Sequence, residues 1–227
     1  MPQPLFTSQT FPVPGAKRAA LLFAGYRGTI RGLKRAVQTL NARGYTVTAY
    51  AHPSHVLRSG NPHDLLELIN AIHKDALAKT RDFDEVLCAG VSVGAGIGMS
   101  LQRQYPMRFR RGVYAGNGVS PSQNIFEAPL FYFVRRAFRR DGYDATKLHA
   151  LWQSHEITPG NPVPAPAGFV MALGKRDAIV RHRKAIDTLQ AWQRNGTPIV
   201  IVSKNRSHAG IIRWYKRHLG ELLDTEV

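Results

Sequence analysis

With 227 residues the chain is long enough for one domain with a substantial core, and a single domain over 1–227 is the expectation. Its 44% hydrophobic content is ordinary for a globular protein, and no apolar run approaches the roughly 20 residues of a membrane helix. A lone cysteine, Cys88, excludes an intramolecular disulfide framework, so a reducing cytoplasm is the expected compartment.

Charge is the compositional outlier: 31 Lys and Arg stand against 15 Asp and Glu, a formal net charge of +16. The basic residues are scattered, with denser groups at Arg103, Arg108, Arg110 and Arg111 and at Arg135, Arg136, Arg139 and Arg140. No zinc-ligand spacing, RNA-binding signature or basic zipper accompanies them, so no specific nucleic-acid partner is predicted. A weak association with anionic surfaces is compatible with the charge alone, as is a general basic bias of the source proteome.

In chain order, short apolar runs alternate with longer amphipathic segments, the pattern of βαβ units around a mostly parallel sheet. Lys17-Arg18 before Ala19-Ala20-Leu21-Leu22-Phe23 has the look of a secretory leader. The run is short, late and preceded by Pro12 and Pro14, so 19–24 reads as a core strand. A helix over 29–43 carries Ile30, Leu33, Ala36, Val37 and Leu40 on one side. A strand over 46–51 follows, then a helix capped by Asp64 with Leu65, Leu68, Ile69 and Ile72 facing inward. Strands over 85–89 and 112–115 flank a helix over 92–104. Later come a strand over 168–173, a helix over 180–195, a strand over 198–202 and a helix over 210–223.

Residues 119–167 interrupt the rhythm and are too many for an ordinary connection. Aromatic and apolar residues from Ile125 to Phe138 precede a proline-rich return through Pro159, Pro162, Pro164 and Pro166. The expectation is a small helical cap inserted between two core strands; helices lying on the sheet flank, away from any ligand, are the alternative.

Gly90-Val91-Ser92-Val93-Gly94 matches G-x-S-x-G, in which a serine sits at a sharp strand-to-helix turn and the glycines avert backbone collisions. The motif alone arises by chance in roughly one chain in twelve of this length. Here an apolar strand, Val86 to Ala89, runs into it and a helical pattern follows. A glycine-rich turn holding a phosphate is the competing reading, but the Gly-Lys-Ser/Thr ending of a phosphate loop is absent. A serine hydroxyl needs a base, and the base needs an orienting carboxylate. Asp177 follows the strand ending at Leu173, and His208 follows the strand ending at Val202, which puts both on the carboxyl edge of the sheet. Asp141 and Asp144 are alternative acids inside the interruption. His52, His55 and His63 are expected at the site's mouth, and the remaining histidines mostly on helix surfaces. Backbone N–H groups of Val93 and Tyr26, with Arg27 as the option beside Tyr26, are the expected oxyanion donors.

Gly25-Tyr26-Arg27-Gly28, the turn at Ser92, the 174–180 segment with Asp177, and Ser207-His208-Ala209-Gly210 together resemble the landmarks of the α/β-hydrolase superfamily. The resemblance covers 19–223 and is greatest to small esterase, lipase and monoacylglycerol-lipase-like members. It implies an α/β-hydrolase fold with a cap after the sixth-strand equivalent. It further implies hydrolysis of small to medium acyl esters through Ser92, His208 and Asp177, with no metal or organic cofactor. Thioesterase, lactonase, amidase or acyltransferase chemistry, or binding without catalysis, would use the same frame. Gly25, Arg27, Phe126 and Phe131 are the expected substrate-binding residues, the arginines of 135–140 adding cationic groups near the mouth. Two departures stand out. Ala24-Gly25 replaces the family's usual His-Gly, and little sequence precedes Ala19, so the first antiparallel strands are expected to be shortened or missing.

Overall fold

The computed structural model describes residues 5–52, 61–118, 120–128, 131–155 and 161–227. Seven strands form one sheet: β1 (Thr7–Phe11), β2 (Arg18–Phe23), β3 (Tyr45–Ala51), β4 (Glu85–Val91), β5 (Arg111–Ala115), β6 (Gly168–Gly174) and β7 (Ile199–Lys204). Their spatial order is β1-β3-β2-β4-β5-β6-β7. β1 runs antiparallel to β3 and every other pairing is parallel. One five-residue antiparallel strand therefore stands before the strand that opens the parallel sheet, in the segment where the first antiparallel strands were expected to be shortened or missing. The leader-like 19–23 run is buried inside the sheet between β3 and β4, as the strand reading required.

Alternation along each strand divides the core. Leu21, Phe23, Cys88, Tyr114, Phe169 and Met171 face one way, against α2 (Pro62–Thr80), α3 (Val93–Gln104) and α7 (His182–Arg194). Ala20, Leu22, Ala49, Ala89, Ala115 and Ala172 face the other, against α1 (Lys34–Asn41) and α8 (His208–Leu223). The alanines on that second face let α1 and α8 lie close to the strands. Both faces are covered, which is why the central strands carry nearly continuous apolar runs.

Between β5 and β6 come α4 (Pro121–Glu127), α5 (Tyr132–Arg140) and α6 (Ala145–Trp152). With one strand before the parallel set, this fifth-to-sixth gap is the position that the resemblance assigned after a sixth strand. The three helices join the first core cluster through Ile125, Val134, Phe138, Leu148 and Trp152. Trp152 ties α6 to the start of α2 by donating its indole N–H to the Pro62 carbonyl at 2.9 Å.

Several helix starts differ from the sequence reading. Asn61, not Asp64, caps α2, accepting from the His63 N–H, and Pro62 takes the first-turn position where a missing N–H costs nothing. Asp64 sits in the first turn and accepts from Asn61 Nδ2. The helix expected from residue 29 opens as a 3-10 turn over Arg31–Leu33 before α1. The helix expected from Gly210 begins at His208, capped by Ser207 Oγ, which accepts the Gly210 N–H. Among the described residues no helix is long and apolar enough to cross a membrane.

Candidate active site

β4 delivers Ser92 and α3 leaves from it. The serine has φ 53° and ψ −124°, a left-handed conformation that side chains rarely adopt. Both flanking glycines are explained by their neighbours. A Cβ on Gly90 would stand 2.7 Å from the Gly94 carbonyl oxygen, and one on Gly94 would collide with the carbonyl oxygens of Phe23 and Ala24. The Ser92 N–H donates to the Ala115 carbonyl at 2.8 Å, fastening the turn to the end of β5.

The loop after β6 brings Asp177 and the loop after β7 brings His208. His208 Nδ1 lies 2.7 Å from Asp177 Oδ2, and His208 Nε2 lies 3.0 Å from Ser92 Oγ. Asp177 is an acceptor, so His208 donates from Nδ1 and its Nε2 lone pair faces the serine hydroxyl. The other carboxylate oxygen accepts the Ile179 and Val180 N–H groups at 2.8 Å each, so the side chain, 1% exposed, is held on both sides. The two alternative acids are engaged elsewhere. Asp141 pairs with Arg140 at 3.0 Å, and Asp144 caps α6 by accepting the Lys147 N–H at 2.8 Å.

Two residues that sequence reasoning did not single out complete the arrangement. Asn117 donates from Nδ2 to the Ser92 carbonyl at 2.8 Å and accepts the Gly118 N–H at 2.6 Å. Gly116, at φ +65°, leaves the space that the imidazole occupies, since a Cβ there would lie 3.2 Å from His208 Cε1. The Gly116-Asn117-Gly118 turn at the end of β5 was the available signal, on the same sheet edge as Asp177 and His208.

Beside Ser92 opens a mainly apolar cavity of about 90 Å³. Val93, Gly96 and Ile97 of α3 form one wall, and Leu65 and Ile69 of α2 another. Ile125 of α4, with Phe131 and Val134 at the start of α5, roofs it, and Ile179 and Val180 close the side next to Asp177. Phe126 is not among the lining residues. Ile125 takes the inward position on α4, and the Phe126 ring lies instead beneath the Arg139 guanidinium, 5.6 Å away.

The turn after β2 meets the serine from outside that cavity. A Cβ on Gly25 would come within 3.3 Å of Ser92 Cβ, and the Gly28 N–H closes the turn on the Gly25 carbonyl at 2.8 Å. Arg27 takes φ 58° there and is exposed, while Tyr26 is half-buried; none of the three lines the cavity. Val93 is the first residue of α3, where helix N–H groups lack an intrahelical acceptor. Of the histidines expected at the mouth, His52 is buried at the end of β3 outside the cavity lining, His63 is exposed on α2, and His55 lies outside the described residues. His73, expected on a helix surface, is buried, and burial pushes its imidazole down to about 4.

The sequence matches no family model and no curated protein. Solved structures do match the fold. A Glycosylation Associate Protein complex from Streptococcus agalactiae aligns with TM-score 0.68 at 16% identity over 97% of this chain, which spans 44% of that one. An esterase of Pyrococcus furiosus aligns with TM-score 0.60 at 14% identity, covering 92% of this chain and 83% of its own. A fluorophosphonate-binding serine hydrolase of Staphylococcus aureus aligns with TM-score 0.60 at 13% identity, covering 97% and 98%. A seven-stranded sheet, parallel but for its first strand, with a serine at the β4–α3 turn and this likeness to hydrolases, shows that the chain has the α/β-hydrolase fold.

Proposed function

We propose that this chain is a serine hydrolase that cleaves carboxylic esters of short and medium acyl groups through an acyl-enzyme intermediate. The observation that carries the reading is the unbroken line from Asp177 Oδ2 through the His208 ring to Ser92 Oγ at the edge of an apolar cavity. In the first step His208 Nε2 takes the Ser92 proton as the oxygen attacks the ester carbonyl, and then hands that proton to the departing alcohol. Water repeats the sequence on the acyl-enzyme and frees the acid. Asp177 holds the imidazole in the required tautomer. The Val93 N–H, at the head of α3, and the Tyr26 N–H stabilise the oxyanion; loss of one such donor costs about 100- to 1000-fold in rate.

Cavity size supports the acyl range. A cavity of about 90 Å³ is several times the roughly 10–15 Å³ that a single water needs, and so has room for a small acyl group. The helices α4 to α6 act as a cap, since the first two supply the roof over the acyl group. A secondary reading concerns partners. On α5, Phe133, Arg136 and Arg140 share the face opposite buried Val134 and Phe138, with Phe133 80% exposed. An exposed aromatic among arginines supports weak association with an anionic surface.

The deciding experiment is hydrolysis of p-nitrophenyl esters of graded chain length by wild type and Ser92→Ala, alongside fluorophosphonate labelling. The wild type is expected to label and to turn over short esters. Ser92→Ala is expected to lose labelling and on the order of 10^6-fold in kcat. A wild type that neither labels nor cleaves any ester overturns the proposal.

A further inference from the structure

The proposed acyl cavity is apolar along most of its walls, yet its lining includes an imidazole that the triad does not use. His155, just beyond α6, faces it. His155 Nδ1 lies 2.8 Å from Gln104 Nε2 and 3.1 Å from Ser100 Oγ, both on α3. Gln104 Oε1 lies 3.1 Å from His73 Nδ1, and the two imidazoles meet edge-on with centroids 5.7 Å apart. An amide has one donating and one accepting end. With Gln104 donating to His155 and accepting from His73, the single proton of a neutral His155 belongs on Nε2. Burial, followed by the charge of Arg103, lowers the His155 pKa from its ordinary value and so keeps the ring neutral at pH 7.

Among the described residues His155 Nε2 has no hydrogen-bond partner, and it is not one of the sealed, unpaired buried atoms. Its hydrogen is therefore open to a ligand. Ser100, which helps to hold the ring, is eight residues along α3 from Ser92, about 12 Å at the helical rise of 1.5 Å per residue. His155 thus stands far from the nucleophile, where the end of an acyl chain would arrive.

We propose that His155 is a specificity-determining residue, donating a hydrogen bond to a hydroxyl or carbonyl oxygen at the distal end of the acyl group. The substrate class is then medium-length ω-hydroxy- or oxo-acyl esters in preference to plain alkanoyl esters of equal length. The proposal rests on the reading of Ser92 as an ester-cleaving nucleophile. A plain chain long enough to cover His155 would strip water from Nε2–H without replacing its partner, and a site built for a polar group discriminates on that ground. A distal carboxylate fits less well. A neutral imidazole offers one hydrogen bond and no compensating charge inside an apolar cavity, and the Arg103 guanidinium is committed to the Gln153 and Ser154 carbonyls.

The test compares kcat/KM for p-nitrophenyl esters of ω-hydroxyacyl groups with unsubstituted acyl groups, matched in length across a graded series. At the length that reaches His155, wild type is expected to prefer the hydroxylated ester by about 3- to 10-fold, the yield of one net hydrogen bond. Shorter pairs should show no preference. His155→Leu should abolish or invert the ratio while still reacting with the fluorophosphonate. Equal turnover of both series by wild type overturns the proposal, and that measurement decides by itself should His155→Leu fail to fold. A preference that survives His155→Leu, or that vanishes only in Asn124→Leu (the other polar side chain on the roof), also overturns it. A labelled, ester-cleaving enzyme without the preference removes this inference alone. A chain that neither labels nor cleaves removes the hydrolase reading along with it.

Discussion

Ser92 is held in a conformation that costs on the order of 1–3 kcal/mol, and neighbouring contacts keep it there. Its N–H is tied to Ala115, its carbonyl to Asn117, and its turn is closed by two glycines that no other residue can replace without collision. At Gly116 the same economy of space acts on His208, the proposed base. Gly116→Ala adds about 1 kcal/mol of left-handed backbone strain and pushes a methyl group against His208 Cε1. A displaced imidazole should lower kcat by roughly 10- to 100-fold with little change in KM. Steady-state kinetics beside a melting curve would check this; an unaltered kcat would show that the ring has room to spare. At this scale G-x-S-x-G, Asp177 and His208 were readable because each follows a strand in the order the chemistry needs. Asn117 was not, because an asparagine between two glycines reads as a turn until the turn is seen to touch the serine's carbonyl.

Among the elements, α2 and α3 are joined by a partly buried polar link in which buried His73 meets Gln104. Burial pushes the His73 pKa from the ordinary 6.5 to about 4, against the smaller opposing effect of the Gln104 hydrogen bond. Above pH 6.5 the folded and unfolded chains both carry a neutral ring and stability is complete. Between 6.5 and 4 the unfolded chain takes up a proton that the folded one refuses, so stability falls as pH falls. The His73 contribution to that loss is about 3 kcal/mol, at roughly 1.4 kcal/mol per pH decade. Urea titrations at stepped pH should show the decline, and His73→Gln should flatten it; an equal slope in the variant would place its origin elsewhere. The parallel strands were legible because burial on both faces of a parallel sheet imposes continuous apolar runs, whereas the half-exposed antiparallel β1 carries no such run. Helix starts were less so: Asn61-Pro62 and Asp64 each offer a first-turn signal, and only the path of the chain selects Asn61.

Across the whole molecule, a net charge of +16 is distributed over a fold whose Asp177–His208–Ser92 hydrogen-bonded line contains none of the arginines. On α5 some of that charge is internally engaged. Arg135 donates to the Phe126 carbonyl at 2.7 Å, Arg139 lies over the Phe126 ring, and Arg140 pairs with Asp141. Arg136 is exposed beside Phe133. Sedimentation with phosphatidylglycerol vesicles should therefore show binding that weakens steeply as salt rises, and Arg136→Ala should reduce it about 5-fold, the worth of roughly 1 kcal/mol per basic residue near an anionic membrane. Retention that is absent at low salt, or insensitive to salt, would exclude the association.

The sequence by itself determined the strand order in time, the strained serine turn and the two side chains that meet it. These features are set by steric rules and periodicities spanning a few residues, which are written wherever the segment is written. Tertiary structure alone decided what surrounds them: that Ile125 rather than Phe126 joins Phe131 in facing the cavity, that Gly116 and Asn117 frame the serine, and that His155 reaches the same space from beyond α6. Such choices depend on the rotation and approach of helices far apart in the chain. No local pattern encodes them, because each is fixed by the packing of its partner.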